Sequence, residues 1–294
     1  MRNELIGLDH LMISTVDLAP VRRCYQRLGF TVTPYRTNEP MGGGRTGGRG
    51  GNHLVLFQPT DDRMTNFLEL AYADPVHATP YMRELLGRPP ALAMIVHAAT
   101  DLERLDAGWQ QAGFPPCTFY ELDTVFRDPD DGTEDRIHFK VLVPDRPRGP
   151  LAFNACEVMD RSHYLRPAWI AHENTARHWA AATIAVPDMA AIRRQFEGIY
   201  GITLDGDAPV AVAMGDQRLS AAEAGWFADR HGDAARRADG TMAELAVEIR
   251  VASLDTARAV LTRNGVAFDE RGDQIVVPAR EAGGIVLCFA GAVA

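Results

Sequence analysis

A chain of 294 residues with a net charge of -9 offers no basic stripe, which argues against nucleic acid or an anionic membrane as partner. It is long enough for two ordinary domains at roughly 100 to 200 residues each. Cys24, Cys117, Cys156 and Cys288 form no CxxC pair, so neither a zinc ribbon nor a redox dithiol is indicated, and a reduced cytoplasm suits them. Met1 to Gly7 lacks the apolar run of a secretory leader, and no stretch reaches the ~20 apolar residues of a membrane span. Lys140 is the only lysine, which leaves Schiff-base chemistry a single residue to rest on.

From the N-terminus, Leu8 to Val16 reads as a strand that ends at Asp17, a helix N-cap. From Leu18 to Leu28 the apolar Leu18, Val21, Tyr25 and Leu28 recur at helical spacing, and Gly29 is placed to end the helix. Strands are then expected at Thr31–Tyr35, Asn52–Phe57 and Asn66–Ala71, giving a βαβββ module. The Gly-rich stretch Gly42 to Gly51 opens no helix and contains no Gly-Lys-Ser/Thr, so it reads as a mobile loop beside a pocket rather than a phosphate loop.

The same order recurs. The second copy has strand Leu92–Val96, helix Leu102–Ala112 and strands Cys117–Leu122, Arg136–Val143 and Leu151–Glu157. The third runs from Ala181 through Asp188 to Gly201, and its later strands are not placed because Ala221 to Asp239 reads as helix or loop. The fourth runs from Ala246 through Ser253 to Gly265, followed by Ala267-Phe268, Gln274–Val277 and Gly284–Phe289. The distance from the Asp or Ser to the Gly is 12, 12, 13 and 12 residues, the mark of an internal repeat. The fold class expected is α+β, with four βαβββ modules. Residues 1–162 form an N-terminal pair, 163–176 a polar and aromatic linker, and 177–294 a degenerate C-terminal pair that serves as scaffold, dimer surface or second pocket.

The element order, with His10 in Leu-Asp-His-Leu, the Leu28-Gly-Phe30 turn and Phe67-Leu-Glu-Leu70 closing the module, resembles the vicinal oxygen chelate superfamily in its glyoxalase-like branch. The resemblance is strong over residues 5–74, fair over 90–176 and weakest in the third copy. It implies that modules pair into curved, incomplete mixed-sheet barrels whose concave face holds one divalent metal ion, Zn, Mn, Ni, Mg or Fe. The ligands would come from the first and fourth strands of each module. Carried onto this chain, the ligands are His10 and Glu69 in the first module. In the second, the first-strand position falls on Met94, and aligning Thr65–Glu69 with Phe153–Glu157 offers Glu157, while a shifted register offers Asn154 or Cys156 instead. Ala181 and Ala246 occupy the corresponding first-strand places of the last two copies, so the metal belongs to the N-terminal half, unlike that of two-domain extradiol dioxygenases.

Three N/O ligands with open positions would let the ion act as a Lewis acid on a carbonyl or enolate oxygen. Glu157, loosely held, would remove a proton next to that carbonyl. An inward Glu69 between Leu68 and Leu70 is costly unless paired or metal-bound. Candidate substrate contacts are Asn52, His53, Phe153, and the connector residues Trp169 and His172; alternation puts Asn52 and His53 on opposite faces of one strand, with the inward face left open. The expected function is a metal-dependent lyase or isomerase acting on a small carbonyl or oxygenated substrate. The alternatives are a metal-free small-molecule binding protein and an extradiol dioxygenase, the latter requiring His97, His53 or His172 to join His10. A homodimer is an open expectation.

Overall fold

The computed structural model describes residues 1–37, 50–74, 76, 78–87, 91–127, 132–145, 149–205 and 209–291. The first copy folds as β1 (Leu5–Ser14), α1 (Leu18–Arg27), β2 (Arg36–Thr37), β3 (Gly50–Leu56) and β4 (Phe67–Ala73). After α2 (Pro80–Leu86), the second supplies β5 (Ala91–Ala99), α3 (Leu102–Gln111), β6 (Cys117–Arg127), β7 (Glu134–Pro144) and β8 (Ala152–Asp160). A connector containing the short helix α4 (Pro167–Ile170) leads to β9 (Ala176–Val186), α5 (Met189–Tyr200), β10 (Val210–Met214), β11 (Gln217–Glu223) and α6 (Ala224–His231). The last copy is β12 (Leu245–Val251), α7 (Leu254–Arg263), β13 (Asp269–Arg271), β14 (Gln274–Val277) and β15 (Val286–Gly291).

The repeat is written in the helix caps. Asp17, Asp101, Asp188 and Ser253 each accept a backbone N–H from the first turn of α1, α3, α5 and α7, satisfying a donor the helix itself cannot. Thr31–Tyr35, expected as a strand, is not one. Thr33 bonds to Leu54 through both backbone and hydroxyl, but Pro34 brings no N–H to a ladder, and pairing with β3 begins only at Arg36 and Thr37. The third copy follows its helix with two strands among the described residues, β10 and β11, and the stretch that reads as helical becomes α6. The expected Gly42–Gly51 loop falls outside the described residues except for Gly50 and Gly51, which open β3.

Copies one and two join in one eight-stranded mixed sheet, β2-β3-β4-β1-β5-β8-β7-β6, and copies three and four in a seven-stranded sheet, β10-β11-β9-β12-β15-β14-β13. In each, the first strands of the two modules pair antiparallel at the centre. The backs of the sheets share one core: Leu8, Leu11, Val55 and Leu68 belong to the same buried cluster as Trp179, Leu219, Ile249 and Leu287, together with residues of α1, α3, α5 and α7. Gln217 on β11 ties the sheets by bonding both the N–H and the C=O of Leu8 through its side-chain amide. No helix among the described residues is long and apolar enough to cross a membrane.

The front of the eight-stranded sheet is covered at its two ends. At one, Met82, Leu85 and Leu86 of α2 pack on Met94, Val96, Val141, Val143 and Cys156. At the other, Tyr164 and Trp169 of the connector pack on Leu54, Leu56, Phe67 and Ile137. His10 on β1 and Glu69 on β4 lie on this face and belong to neither apolar cluster.

Candidate functional site

Strand β1 sits between β4 and β5, with His10 opposite Phe67 and Val96 and Met12 opposite Glu69 and Met94. Strict alternation would send Asp9 and His10 to opposite faces. A register shift between Leu8 and His10 marks a bulge, and an extra residue there lets both side chains take the front. His10 Nδ1 accordingly donates to Asp9 Oδ1 at 2.7 Å. Asp9, 1 % exposed, also accepts from Thr65 N at 3.0 Å and Thr65 Oγ1 at 2.7 Å. The imidazole lies flat on Phe67, 4.0 Å between centroids, and Phe67 in turn stacks on Tyr164.

On the far side of the ring, His10 Nε2 is 3.5 Å from Glu69 Oε2, long for a hydrogen bond. Asn52 Nδ2 donates to the other oxygen, Glu69 Oε1, at 2.6 Å. Asn52 therefore faces inward, with Leu54 and Leu56, and holds the carboxylate in place. Burial pulls the His10 pKa down, but Asp9 and Glu69 together outweigh it and leave the imidazole above its ordinary 6.5. Cys156 on β8 faces Asp9, and burial followed by that neighbouring carboxylate pushes its thiol well above the usual range, which keeps it neutral.

The other candidates from the sequence do not meet His10. Glu157 shares its side of β8 with Phe153 and Ala155, which lie in the inter-sheet core, while Asn154, Cys156 and Val158 take the front. The break in β8 pairing comes after Glu157, between the partners of His138 and Phe139, so nothing resets the alternation before it. Phe153 packs against Trp109 and Phe114 in the core. His53 points backward, its Nδ1 on Thr33 O. His172 Nδ1 accepts from Thr31 N and its Nε2 donates to Leu56 O, which fixes a neutral tautomer in a tied-down connector, with burial lowering its pKa to about 4. Trp169, buried under Arg166, forms part of the end wall rather than the floor. His97 lies between the sheets, bonded to Asn154 O and Tyr200 Oη.

This arrangement decides whether the divalent ion implied by the resemblance finds its ligands. Among the described residues no group of three or more His, Cys, Asp or Glu could hold a metal ion. His10 and Glu69 are two donors, where an open catalytic centre of this type takes three. The places across from them are Met94 and Val96. Among the described residues the donors do not fit the group. Among the described residues no second histidine joins His10 as an extradiol triad would need, because His53, His97 and His172 all lie away from the front face. Asp9, Thr65 and Phe67 build the site yet escape sequence reasoning; the adjacent Asp-His pair was the available signal, hidden by alternation.

A family model described as a glyoxalase-like domain matches residues 8–200. No individual curated protein matches the chain in sequence. Among solved structures, a hypothetical protein from Staphylococcus aureus superposes with a TM-score of 0.55 at 10% identity, over 97% of this chain and 99% of the other. The 2,3-dioxygenase LapB from Pseudomonas sp. KL28 gives 0.55 at 13% identity over 99% and 93%. The Mn(II)-bound glyoxalase from Novosphingobium aromaticivorans gives 0.52 at 12% over 98% and 82%. At such identities these likenesses establish the fold alone; the Novosphingobium glyoxalase is the one of these three whose description names a bound metal. With paired modules of this order and a family model spanning most of both N-terminal modules and beyond, the chain belongs to the glyoxalase-like domain family.

Proposed function

We propose that the chain binds a small carbonyl or oxygenated molecule on the front of the eight-stranded sheet and moves a proton within it, in the manner of an isomerase or lyase. The observation that carries this reading is the half-buried imidazole of His10 held between two carboxylates, with its Nε2 3.5 Å from Glu69 Oε2. At that distance the Nε2–H of His10 is not committed to Glu69 and can turn to a substrate. Glu69, steadied by Asn52, takes the proton from the carbon next to the carbonyl. His10, whose protonated form Asp9 and Glu69 favour, donates a hydrogen bond to the oxygen as negative charge develops there. The proton returns from Glu69 to the adjacent carbon or oxygen. No step uses a metal ion.

The test uses dihydroxyacetone and 2-hydroxyacetophenone in D2O, with deuterium uptake at the carbon next to the carbonyl followed by NMR after treatment of the protein with a chelator. The wild type is expected to exchange, and His10→Ala and Glu69→Gln to lose about 100-fold or more, the usual scale of acid–base catalysis. Exchange equal in all three proteins defeats the proposal.

A further inference from the structure

The eight-stranded sheet ends on β6, which the ladder joins to β7 alone. At 11 residues it is the longest of the four sheet edges, where β2 has 2, β10 has 5 and β13 has 3. A long edge is a template for another strand, and proteins ordinarily blunt it with proline, lysine or a bulge. Strand β6, Cys-Thr-Phe-Tyr-Glu-Leu-Asp-Thr-Val-Phe-Arg, carries neither proline nor lysine. Its register with β7 runs without a shift from Cys117 opposite Pro144 to Arg127 opposite Glu134.

Two hydrogen bonds tell which of its backbone groups face outward. Cys117 N donates to Asp106 Oδ1 on α3, and the carbonyl of Arg136, opposite Val125, accepts from Ser162 Oγ, so neither group points across the β6–β7 pair. Outward groups in an antiparallel ladder recur at every second residue, which selects Phe119, Glu121, Asp123, Val125 and Arg127. Among the described residues no backbone hydrogen bond outside the ladder takes them up. The start of the strand is engaged, by Asp106 and by Thr118 Oγ1 donating to Asp145. The far end differs, because β8 pairs with β7 only as far as His138. Ile137 packs beneath the connector, but residues 123–127 and 134–137 remain a ribbon of two strands, which is marginal without a third. Val125, in that ribbon, is 60 % exposed.

We propose that this end of β6 pairs antiparallel with β6 of a second copy of the chain, about a twofold axis at Val125. That register sets the exposed valine against its own copy and Asp123 against Arg127 of the second copy, twice, with no like charges opposite. Centring the axis on Glu121, Leu122 or Asp123 would oppose two acidic residues, which is destabilising, and centring it on Thr124 would set Val125 against Asp123. Within each ribbon Asp123 is paired with Arg136 and Arg127 with Glu134. Two chains that each carry a net charge of -9 therefore meet at a seam that is locally neutral. The outward groups of Asp123, Val125 and Arg127 are all used in both copies. Because the same edge serves both partners, the contact closes at two copies.

The test is sedimentation velocity of the full chain from about 5 to about 500 µM, because pairing confined to one short ribbon makes an interface of the weak class, below roughly 1,200 Å2. The wild type is expected to pass from monomer to dimer across that range and to form nothing larger. Val125→Pro removes an outward N–H but no bond to β7, so it should stay monomeric at the highest concentration with the circular dichroism spectrum of the wild type. Asp123→Arg and Arg127→Asp each set like charges against each other across the axis and should weaken the dimer about tenfold or more. Combining the two changes restores opposite pairs between copies and should recover the association, although it puts like charges beside Arg136 and Glu134 within each ribbon. A chain that is monomeric throughout, a dimer that survives Val125→Pro, growth into larger assemblies, or a double variant as weak as the single ones overturns the inference.

Discussion

Asp9 and His10, adjacent in sequence, lie on the same side of β1, with His10 Nδ1 2.7 Å from Asp9 Oδ1. The bulge that produces this leaves the second nitrogen, Nε2, directed at Glu69. A carboxylate behind an imidazole selects its tautomer and raises its basicity, and Thr65 holds that carboxylate through two further hydrogen bonds.

Asp9→Asn places an amide nitrogen where an oxygen now accepts. One of the donors from Thr65 or His10 then has no acceptor in a buried site, at about 1–3 kcal/mol. Urea denaturation at neutral pH should show a loss on that scale. A midpoint and slope indistinguishable from the wild type would mean that Asp9 does not hold these groups.

Glu157→Gln tests the face assignment on β8. Glu157 pairs with Lys140 on the side away from His10, so the change should alter stability by no more than about 0.5 kcal/mol, as for an ordinary surface substitution. It should also leave deuterium exchange at the wild-type rate. A tenfold fall in exchange would return Glu157 to the site.

Acid should destabilise the fold through His97 and His172. Burial, slightly offset by a backbone hydrogen bond, lowers each to about 4 from 6.5, so the fold holds both neutral. Their contribution is complete above pH 6.5 and is lost as the pH falls toward 4, by about 3 kcal/mol each at about 1.4 kcal/mol per pKa unit. His10 has the opposite sign: its pKa is raised, so its contribution is complete below 6.5 and is lost as the pH rises through the folded value. Urea midpoints at pH 7.5 and pH 4.5 should therefore show a steep fall that His172→Gln makes shallower. The same pH dependence in the variant would exclude His172 as a source.

The repeat, the four helix caps and the pairing of modules were legible because they rest on local chemistry: an Asp or Ser where a helix begins, a Gly where it ends, and apolar periodicity between them. The convergence of His10 and Glu69 was legible through the resemblance, and the parallel pairing of β1 with β4 carries it out. Glu157 was misplaced because a one-residue difference in register exchanges the two faces of a strand; the true front positions are Asn154 and Cys156, the alternatives that the shifted register offered. Asn52 and His53 could not be separated until the packing of Leu54 and Val55 showed which face looks forward. The role of Asp9 could not be read at all, since a bulge is decided by how three strands fit together and not by the residues at the bulge.

The most direct measurement of the account is the titration of the His10 ring by long-range 15N NMR in the wild type and in Glu69→Gln. The account predicts a His10 pKa above 6.5 in the wild type, the Nδ1–H tautomer above that pKa, and a clear downward shift in Glu69→Gln, where one of the two carboxylates is gone. A His10 that titrates at or below 6.5 and is unmoved by the change at Glu69 would contradict the claim that these two residues form one site.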